Sequence, residues 1–355
     1  MPKNIVMLFD GTWNKPAEFQ QDPGSKCDTN VRRFYNSIDT FADDGRTQVA
    51  FYDYGVGTEW LNQVRGGVFG RGLDEHIRKG YEYLCRTYAP EDKVYVLSLS
   101  RGAYSARSLV GLIRNSGVLR ESSEARLDEA YELYRKRDRS ADTPDAVEFR
   151  RRHSREIEIE FLGVWDTVGS LGIPFTAFQE LNDERYGFHD TKLSRIVKNA
   201  FHALAMDEHR EPYKPTFLTQ REDAGEQRVE QVWFAGAHSD VGGGYPDQPL
   251  SDSPLRWMQQ RAQECGLNVG VLPERTDATA RRVEYLAEAH DSFREFLGGR
   301  YAAHAERYYR RVGRHEDGPQ KLHWTLKRRV DEANDYRPVN EGLTACIARG
   351  DILTA

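Results

Sequence analysis

Three residue types that together perform nucleophilic catalysis occur in this chain as Ser100, Asp166 and His238. A serine hydroxyl is a weak nucleophile until a histidine accepts its proton and a carboxylate holds that histidine in the right tautomer. Each of the three residues follows a short apolar run that reads as a buried strand. The pattern therefore predicts a Ser–His–Asp triad that cleaves carboxylic esters through an acyl-enzyme.

The stretch KVYVLSLSRGAYSAR (93–107) carries the predicted nucleophile. A nucleophile elbow is a tight strand-to-helix turn that needs small residues two positions before and after the serine, and Ser98 and Gly102 stand there. The chain order serine, acid, histidine is that of α/β-hydrolases. Local sequence leaves three other interpretations open: an ordinary loop serine at 100, an Asx-turn or helix cap at Asp166, and a polar loop residue at His238.

A second feature, Asp10-Gly11-Thr12 after the first apolar run, indicates an oxyanion hole. We expect one backbone N–H from Arg101, at the start of the helix after Ser100, and a second from Gly11 or Thr12. Asp10 would brace that loop, and with Asp240 it is expected to support the site. The alternative is a plain turn after the first strand.

Three other functions are compatible with parts of the sequence to different degrees. A haloacid-dehalogenase phosphatase needs an aspartate two positions before the one in FDGT, and Leu8 stands there. A metal-dependent phosphoesterase using Asp10, Asp166, His238 and Asp240 stays open, since carboxylates and imidazole hold divalent metals. So does a catalytically dead binding module. The favoured mechanism needs no cofactor and no metal.

Short apolar runs alternate with helix-period segments along the chain. Strands are predicted at 5–9, 49–52, 94–99, 157–165 and 229–235, and helices at 72–87 and 191–206. This alternation predicts an α/β fold, α/β-hydrolase-like, with a mostly parallel sheet, helices on both faces and helical insertions. In such sheets the chemistry gathers at the carboxyl ends of the strands.

We predict a single domain, 1–355, with a charged helical insertion at about 120–156 and a mainly helical region at about 250–355. Two polar groups have two interpretations each. Residues 207–210 (DEHR) end a predicted helix and either line the mouth of the site or are solvated; we favour the solvated state, with Arg210 near the site. Residues 308–311 (YYRR) either meet lipid headgroups or form a helix face, and we favour the helix face.

Composition narrows the function classes further. The chain has 355 residues, 30% of them charged, and a net charge of −6, which argues against a nucleic-acid partner. Its four cysteines form no CxxC pair and are expected to be reduced thiols, as in the cytoplasm. We expect no signal peptide and no transmembrane segment.

Five motifs together resemble one family: LFDGTWN (8–14), YDYGVGT (52–58), SLSRGAYSAR (98–107), FLGVWDTVGSLG (161–172) and AGAHSDVGGGY (235–245). They are similar to the DUF2235 family, the catalytic domain of Tle1-like phospholipase effectors of type VI secretion. The resemblance implies Ser100, Asp166 and His238 as the triad, with Ser98 where the family usually has glycine.

The same resemblance has consequences for substrate and partners. It implies an ester or phospholipid substrate, met at a membrane surface. It also implies residence in the cytoplasm of the producing cell, delivery by type VI secretion, and an immunity or secretion-system partner if the chain is an effector.

Overall fold

The computed structural model describes residues 1–11, 27–54, 69–100, 102–135, 141–168, 192–222, 225–247 and 249–354, with the backbone alone for 69–74. The strands are β1 (Lys3–Phe9), β2 (Thr47–Asp53), β3 (Lys93–Leu99), β4 (Val118–Leu119), β5 (Ser154–Arg155), β6 (Ile159–Trp165), β7 (Val197–Ala205), β8 (Arg228–Phe234), β9 (Gln320–His323) and β10 (Ile352–Leu353).

The helices flank these strands along the chain. They are α1 (Asn30–Asn36), α2 (Phe69–Thr87), α3 (Gly102–Ser116), α4 (Glu124–Arg135), α5 (Pro144–His153), α6 (His238–Gly242), α7 (Pro249–Glu264), α8 (Ala278–Leu286), α9 (Ser292–Glu295), α10 (Trp324–Glu332) and α11 (Leu343–Arg349). Short 3₁₀ turns cover Glu211–Tyr213, Phe296–Gly299 and His315–Asp317.

Eight strands form one parallel sheet in the order β10-β9-β8-β7-β6-β3-β1-β2. Its central strands are buried on both faces, as parallel strands under helices must be. On β1, Ile5, Met7 and Phe9 pack with α2, α3 and α4, whereas Val6 and Leu8 face the opposite cluster with α1 and α7. The mostly parallel, α/β-hydrolase-like fold that the sequence predicts is confirmed.

One part of the secondary-structure prediction was wrong. The predicted helix at 191–206 is strand β7, which pairs with β6 and β8. Its apolar residues Val197, Phe201 and Leu204 fit a helical period equally well, because a strand buried on both faces need not alternate. The mainly helical region after 250 also contains β9 and β10, which extend the sheet at its edge.

The segment predicted as a helical insertion contains α4 and α5, and the antiparallel β4–β5 pair brings the two ends of this segment together. Because β9 and β10 belong to the main sheet, the C-terminal region is built onto it. The single-domain assignment itself stays a prediction. Among the described helices, none has the length and apolar character that crossing a bilayer requires.

Candidate active site

Ser100 occupies the turn between β3 and α3. Its φ is +56°, a left-handed backbone conformation that residues other than glycine rarely adopt. Its N–H donates to the carbonyl of Trp165 at 2.9 Å, which ties the turn to the end of β6. The residue is buried at the carboxyl end of the sheet. A strained serine between a strand and a helix is the arrangement of a nucleophile elbow.

Gly102 opens α3 directly against the end of β1. A Cβ at this position would lie 2.5 Å from the carbonyl oxygens of both Phe9 and Asp10. Only glycine lets the helix begin this close to the neighbouring strand. Ser98 stands at the position where the family with similar motifs usually has glycine, and it is a fully buried residue of β3.

Asp166 follows β6 and is fully buried. Its φ is +39°, so it shares the unusual conformation of Ser100. Its Oδ1 accepts the N–H of Ala205 at 2.9 Å, and its Oδ2 lies 2.6 Å from Nδ1 of His238. Because the carboxylate can only accept, Nδ1 carries the proton, and Nε2 is the nitrogen that can exchange a proton in a reaction.

His238 begins the short helix α6 after β8. Gly242 at the other end of α6 touches the side chain of Leu99, and a Cβ there would overlap that leucine. Since Leu99 immediately precedes Ser100, this contact brings the helix of His238 against the elbow. The ring of Tyr213 meets the His238 ring edge-on, with centroids 5.1 Å apart.

Arg310 and His238 stabilise the negative charge of the Asp166 carboxylate. Burial by itself raises the pKa of the carboxyl, but Arg310 and His238 more than offset this, so the pKa stays well below its ordinary value. Arg310 is fully buried, and its Nη1 lies 2.6 Å from Asp166 Oδ1. Asp166 is therefore an ionised acceptor, as a carboxylate that orients a histidine must be.

Arg310 was missed by sequence analysis, which placed it on an exposed helix face. That assignment was wrong: residues 305–314 are not helical, and the Arg310 side chain is 0% exposed. An arginine between tyrosines and another arginine looks solvated, and no local signal links it to a carboxylate far earlier in the chain.

The favoured expectation that residues 207–210 are solvated was also wrong. Glu208 is fully buried and Arg210 nearly so, and they form an ion pair at 2.7 Å. Glu208 Oε2 also accepts the backbone N–H of His238 at 3.3 Å and the hydroxyl of Ser292 at 3.0 Å. A second buried carboxylate thus fixes the backbone that carries the histidine.

The two aspartates expected to support the site have clear partners. Asp10 accepts the N–H of Gly11 and the hydroxyls of Thr29 and Tyr52, each at 2.6 Å. Asp240 Oδ2 accepts the N–H of Ala237 at 2.8 Å, which caps α6 just before His238.

Of the three residues predicted to form the oxyanion hole, the structure describes Gly11. The Gly11 N–H is engaged by the Asp10 carboxylate at 2.6 Å. Thr12 and Arg101 lie outside the described residues. The assignment of Arg101 with Gly11 or Thr12 as oxyanion donors stays a prediction.

The four residues of the metal-dependent alternative bind other partners. Asp166 faces His238 and Arg310, Asp10 faces hydroxyls and an amide, and Asp240 faces His290 Nδ1 at 2.7 Å. Within the described ranges, no three His, Cys, Asp or Glu side chains are grouped so that they could hold a metal ion.

The positive-φ serine at a strand–helix turn and the Asp–His pair both lie at the carboxyl ends of strands of one parallel sheet, as expected for an α/β-hydrolase-like fold. The chain belongs to the family described as the type VI secretion system phospholipase effector Tle1-like catalytic domain, whose model matches residues 3–261. Because Arg310 lies beyond the matched range, the site draws on more of the chain than the family model covers.

Similar proteins were found by sequence and by structure. The uncharacterized protein YEL023C of Saccharomyces cerevisiae (strain ATCC 204508 / S288c) is 29% identical over 241 residues, which cover 61% of this chain and 33% of that protein. An uncharacterized protein from Pseudomonas aeruginosa superposes with a TM-score of 0.43 at 20% identity, over 79% of this chain and 48% of that one.

Two further solved structures are the Tle1 effector bound to the VgrG spike of the type 6 secretion system and Thermogutta terrifontis esterase 2 phosphoramylated by tabun. The first has a TM-score of 0.39 at 19% identity, over 69% of this chain and 52% of that one. The second has a TM-score of 0.37 at 13% identity, over 77% and 86%. This chain spans about a third of the yeast protein's length and about half of the Pseudomonas structure.

Proposed function

We propose that this chain is a serine hydrolase that cleaves carboxylic esters. Ser100 is the nucleophile, His238 the general base and then acid, and Asp166 the carboxylate that orients His238. The single observation that carries the proposal is the 2.6 Å contact between His238 Nδ1 and Asp166 Oδ2, at the sheet edge where Ser100 adopts a positive φ. Membership of a phospholipase effector family supports the same chemistry.

The proposed reaction has two halves. Ser100 Oγ bonds to the acyl carbon while its proton passes to His238 Nε2, and the oxyanion accepts N–H groups from Arg101 and from Gly11 or Thr12. The carbon–oxygen bond to the alcohol then breaks, and His238 protonates the departing oxygen. Water next attacks the acyl-enzyme, gives a proton to His238, and releases the carboxylic acid as Ser100 regains its proton.

For the substrate class we propose phospholipids at a membrane surface. The support is the family description, which names a phospholipase effector. On the same basis we propose that the chain acts as an effector made in the cytoplasm and delivered by type VI secretion. A secretion-system component and an immunity protein are the partners that this role would require.

Phospholipid hydrolysis can be tested on vesicles of phosphatidylethanolamine and phosphatidylglycerol. Wild type, Ser100→Ala and Ser105→Ala are compared, the last as a control because Ser105 is a buried serine of α3. We expect wild type and Ser105→Ala to release fatty acid and lysophospholipid, and Ser100→Ala to release neither above background. Equal release by Ser100→Ala would remove Ser100 from the mechanism. Hydrolysis of soluble esters without hydrolysis of vesicles would keep the mechanism and reject the substrate class.

A further inference from the structure

The guanidinium of Arg310 is enclosed by four acceptor contacts. Nη1 donates to Asp166 Oδ1 at 2.6 Å and to the carbonyl of Ala205 at 2.7 Å. Nη2 donates to Asp166 Oδ2 at 3.0 Å and to the carbonyl of Tyr213 at 2.6 Å. An arginine bound to both oxygens of one carboxylate fixes its orientation as well as its charge.

The backbone that carries Arg310 is also anchored. Asn340 Nδ2 donates to the carbonyl of Arg310 at 2.9 Å and to that of Met206 at 3.3 Å, and it is itself buried. Met206 directly follows β7, whose last residue supplies the Ala205 carbonyl. The segment around 310 is therefore locked to the strand beside Asp166.

We propose that Arg310 is a positioning residue of the reaction, which holds the Asp166 carboxylate in place and lowers the proton affinity of the Asp166–His238 pair. This inference rests on the proposed function. A buried carboxylate with histidine as its sole cationic partner would retain the imidazolium proton strongly. The second positive charge weakens that attraction, so removing it should strengthen the hold of Asp166 on the imidazolium proton.

The other ionisable groups around the pair are already balanced. Glu208, behind the His238 backbone, is neutralised by Arg210, and Asp240 on α6 faces His290. Burial lowers the pKa of His202 to about 3, so its ring is neutral. Further neighbours among the described residues are Arg107 on α3, which acts on His202, and the phenol of Tyr213. Within that part of the chain, Arg310 is the cation that binds Asp166 directly besides His238.

The test measures the pH at which the His238 ring takes up its proton, followed by NMR of histidine-labelled protein, and the acid limb of the kcat/KM profile on a soluble ester. Arg310→Met removes the charge and Arg310→Lys keeps it. Arg256→Met is the matched control, because Arg256 is also buried, forms a two-contact pair with Glu284, and donates to two carbonyls, those of Leu272 and Pro273.

In Arg310→Met we expect both midpoints to rise by about one pH unit or more, because a charge in contact with the carboxylate is lost. Arg310→Lys should keep both midpoints near those of wild type while kcat falls, since an ammonium cannot reproduce the paired contacts. Arg256→Met should change stability without moving either midpoint.

Unchanged midpoints in folded Arg310→Met would overturn the inference. If that variant does not fold, Arg310→Lys carries the test, and a wild-type kcat in it would overturn the positioning role. The NMR midpoint needs no substrate. A wild type without ester turnover would therefore overturn the proposed function, whereas a shifted NMR midpoint in the variant would still support the link between Arg310 and the pair.

Discussion

Ser100 and Asp166 both have a positive φ, +56° and +39°, and both follow central strands of the sheet. A non-glycine residue in this region costs on the order of 1–3 kcal/mol, and such residues cluster where function requires a particular side-chain direction. The strain at Ser100 and Asp166 is held by backbone contacts: Ser100 N–H to the Trp165 carbonyl, and Asp166 N–H to the Ala203 carbonyl.

Asp166→Asn tests the carboxylate without changing its shape. An amide cannot both accept the Nδ1 proton and counter the charge of a protonated His238, so we expect kcat on a soluble ester to fall by roughly 10³–10⁴, as in other serine hydrolase triads. The free energy of unfolding should also fall by about 3 kcal/mol or more, because Arg310 loses its buried counterion. Denaturant unfolding checks the second effect. A kcat within tenfold of wild type would show that Asp166 does not orient the base.

For single residues, the sequence predicted the candidate catalytic side chains better than the buried side chains that surround them. Ser100, Asp166 and His238 could be proposed because each follows an apolar run, and the structure places Asp166 against His238. Arg310 could not be proposed, because its partner Asp166 is far away in the chain. Its neighbouring residues are also of the types that flank solvent-exposed arginines. The triad roles and the oxyanion donors stay predictions.

At the scale of elements, the site depends on how α3 and α6 approach the sheet. Both helices begin directly after a strand, α3 next to β1 and α6 next to Leu99 of β3. The helical-period pattern at 191–206 concealed β7, the strand between β6 and β8. Its Ala and Leu residues suit helices as well, and pairing with two neighbours overrides that preference.

Gly242→Ala is expected to separate α6 from the elbow. The added methyl would overlap the Leu99 side chain, so the helix and His238 must shift away from Ser100. We expect ester turnover to fall at least about 10²-fold, as for a displacement of about 1 Å at a catalytic group. The double variant Gly242→Ala/Leu99→Ala removes the overlap and should recover much of the activity. A single variant with wild-type turnover, or a double variant no better than the single, would contradict the expected contact.

Gly102→Ala tests the close approach of α3 to β1. Two carbonyl oxygens lie 2.5 Å from the new Cβ, and backbone cannot move aside cheaply. We expect a loss of about 2 kcal/mol or more in the free energy of unfolding, together with loss of ester turnover. Gly111→Ala in the same helix is the control, since its Cβ would lie 3.2 Å from the hydroxyl and 3.3 Å from a ring carbon of Tyr134, a side chain and not a backbone. Equal stability of the two variants would contradict this account of the elbow.

At the scale of the whole molecule, the proposed site draws on distant parts of the chain. Ser100 comes from β3, Asp166 from β6, His238 from β8, and Arg310 from the C-terminal region that also supplies β9 and β10. The alternation of apolar runs and helices predicted the parallel sheet. Short strands such as Ile352–Leu353 could not be foreseen, since two residues carry no periodicity and pair only because the sheet edge is there.

Acid stability is a property of the whole fold that follows from its buried histidines. Burial lowers the pKa of His323 to about 3, well below its ordinary value. Between about pH 6.5 and 3 the unfolded chain therefore binds a proton that the folded chain does not, and stability falls as the pH falls, by about 1.4 kcal/mol per pH unit for this histidine.

His323→Asn should make this pH dependence shallower. Asparagine can also cap α10, where His323 Nδ1 lies 2.7 Å from Thr325 Oγ1, so the helix start is preserved. Between pH 6.5 and 3, we expect the slope of the unfolding free energy against pH to decrease by about 1.4 kcal/mol per pH unit, the contribution of one proton. Urea unfolding at several pH values provides the measurement. Parallel curves for wild type and variant would show that His323 does not titrate on unfolding.

The most direct test of the central claim is intact-mass analysis after incubation with a fluorophosphonate, on wild type, Ser100→Ala and Ser105→Ala. A serine is phosphonylated readily only when a base activates it and an oxyanion hole receives the phosphoryl oxygen. We predict one adduct on wild type and on Ser105→Ala, mapped to Ser100, and none on Ser100→Ala. Folded wild type without an adduct, or an adduct that persists in Ser100→Ala, would contradict the assignment of Ser100 as the nucleophile.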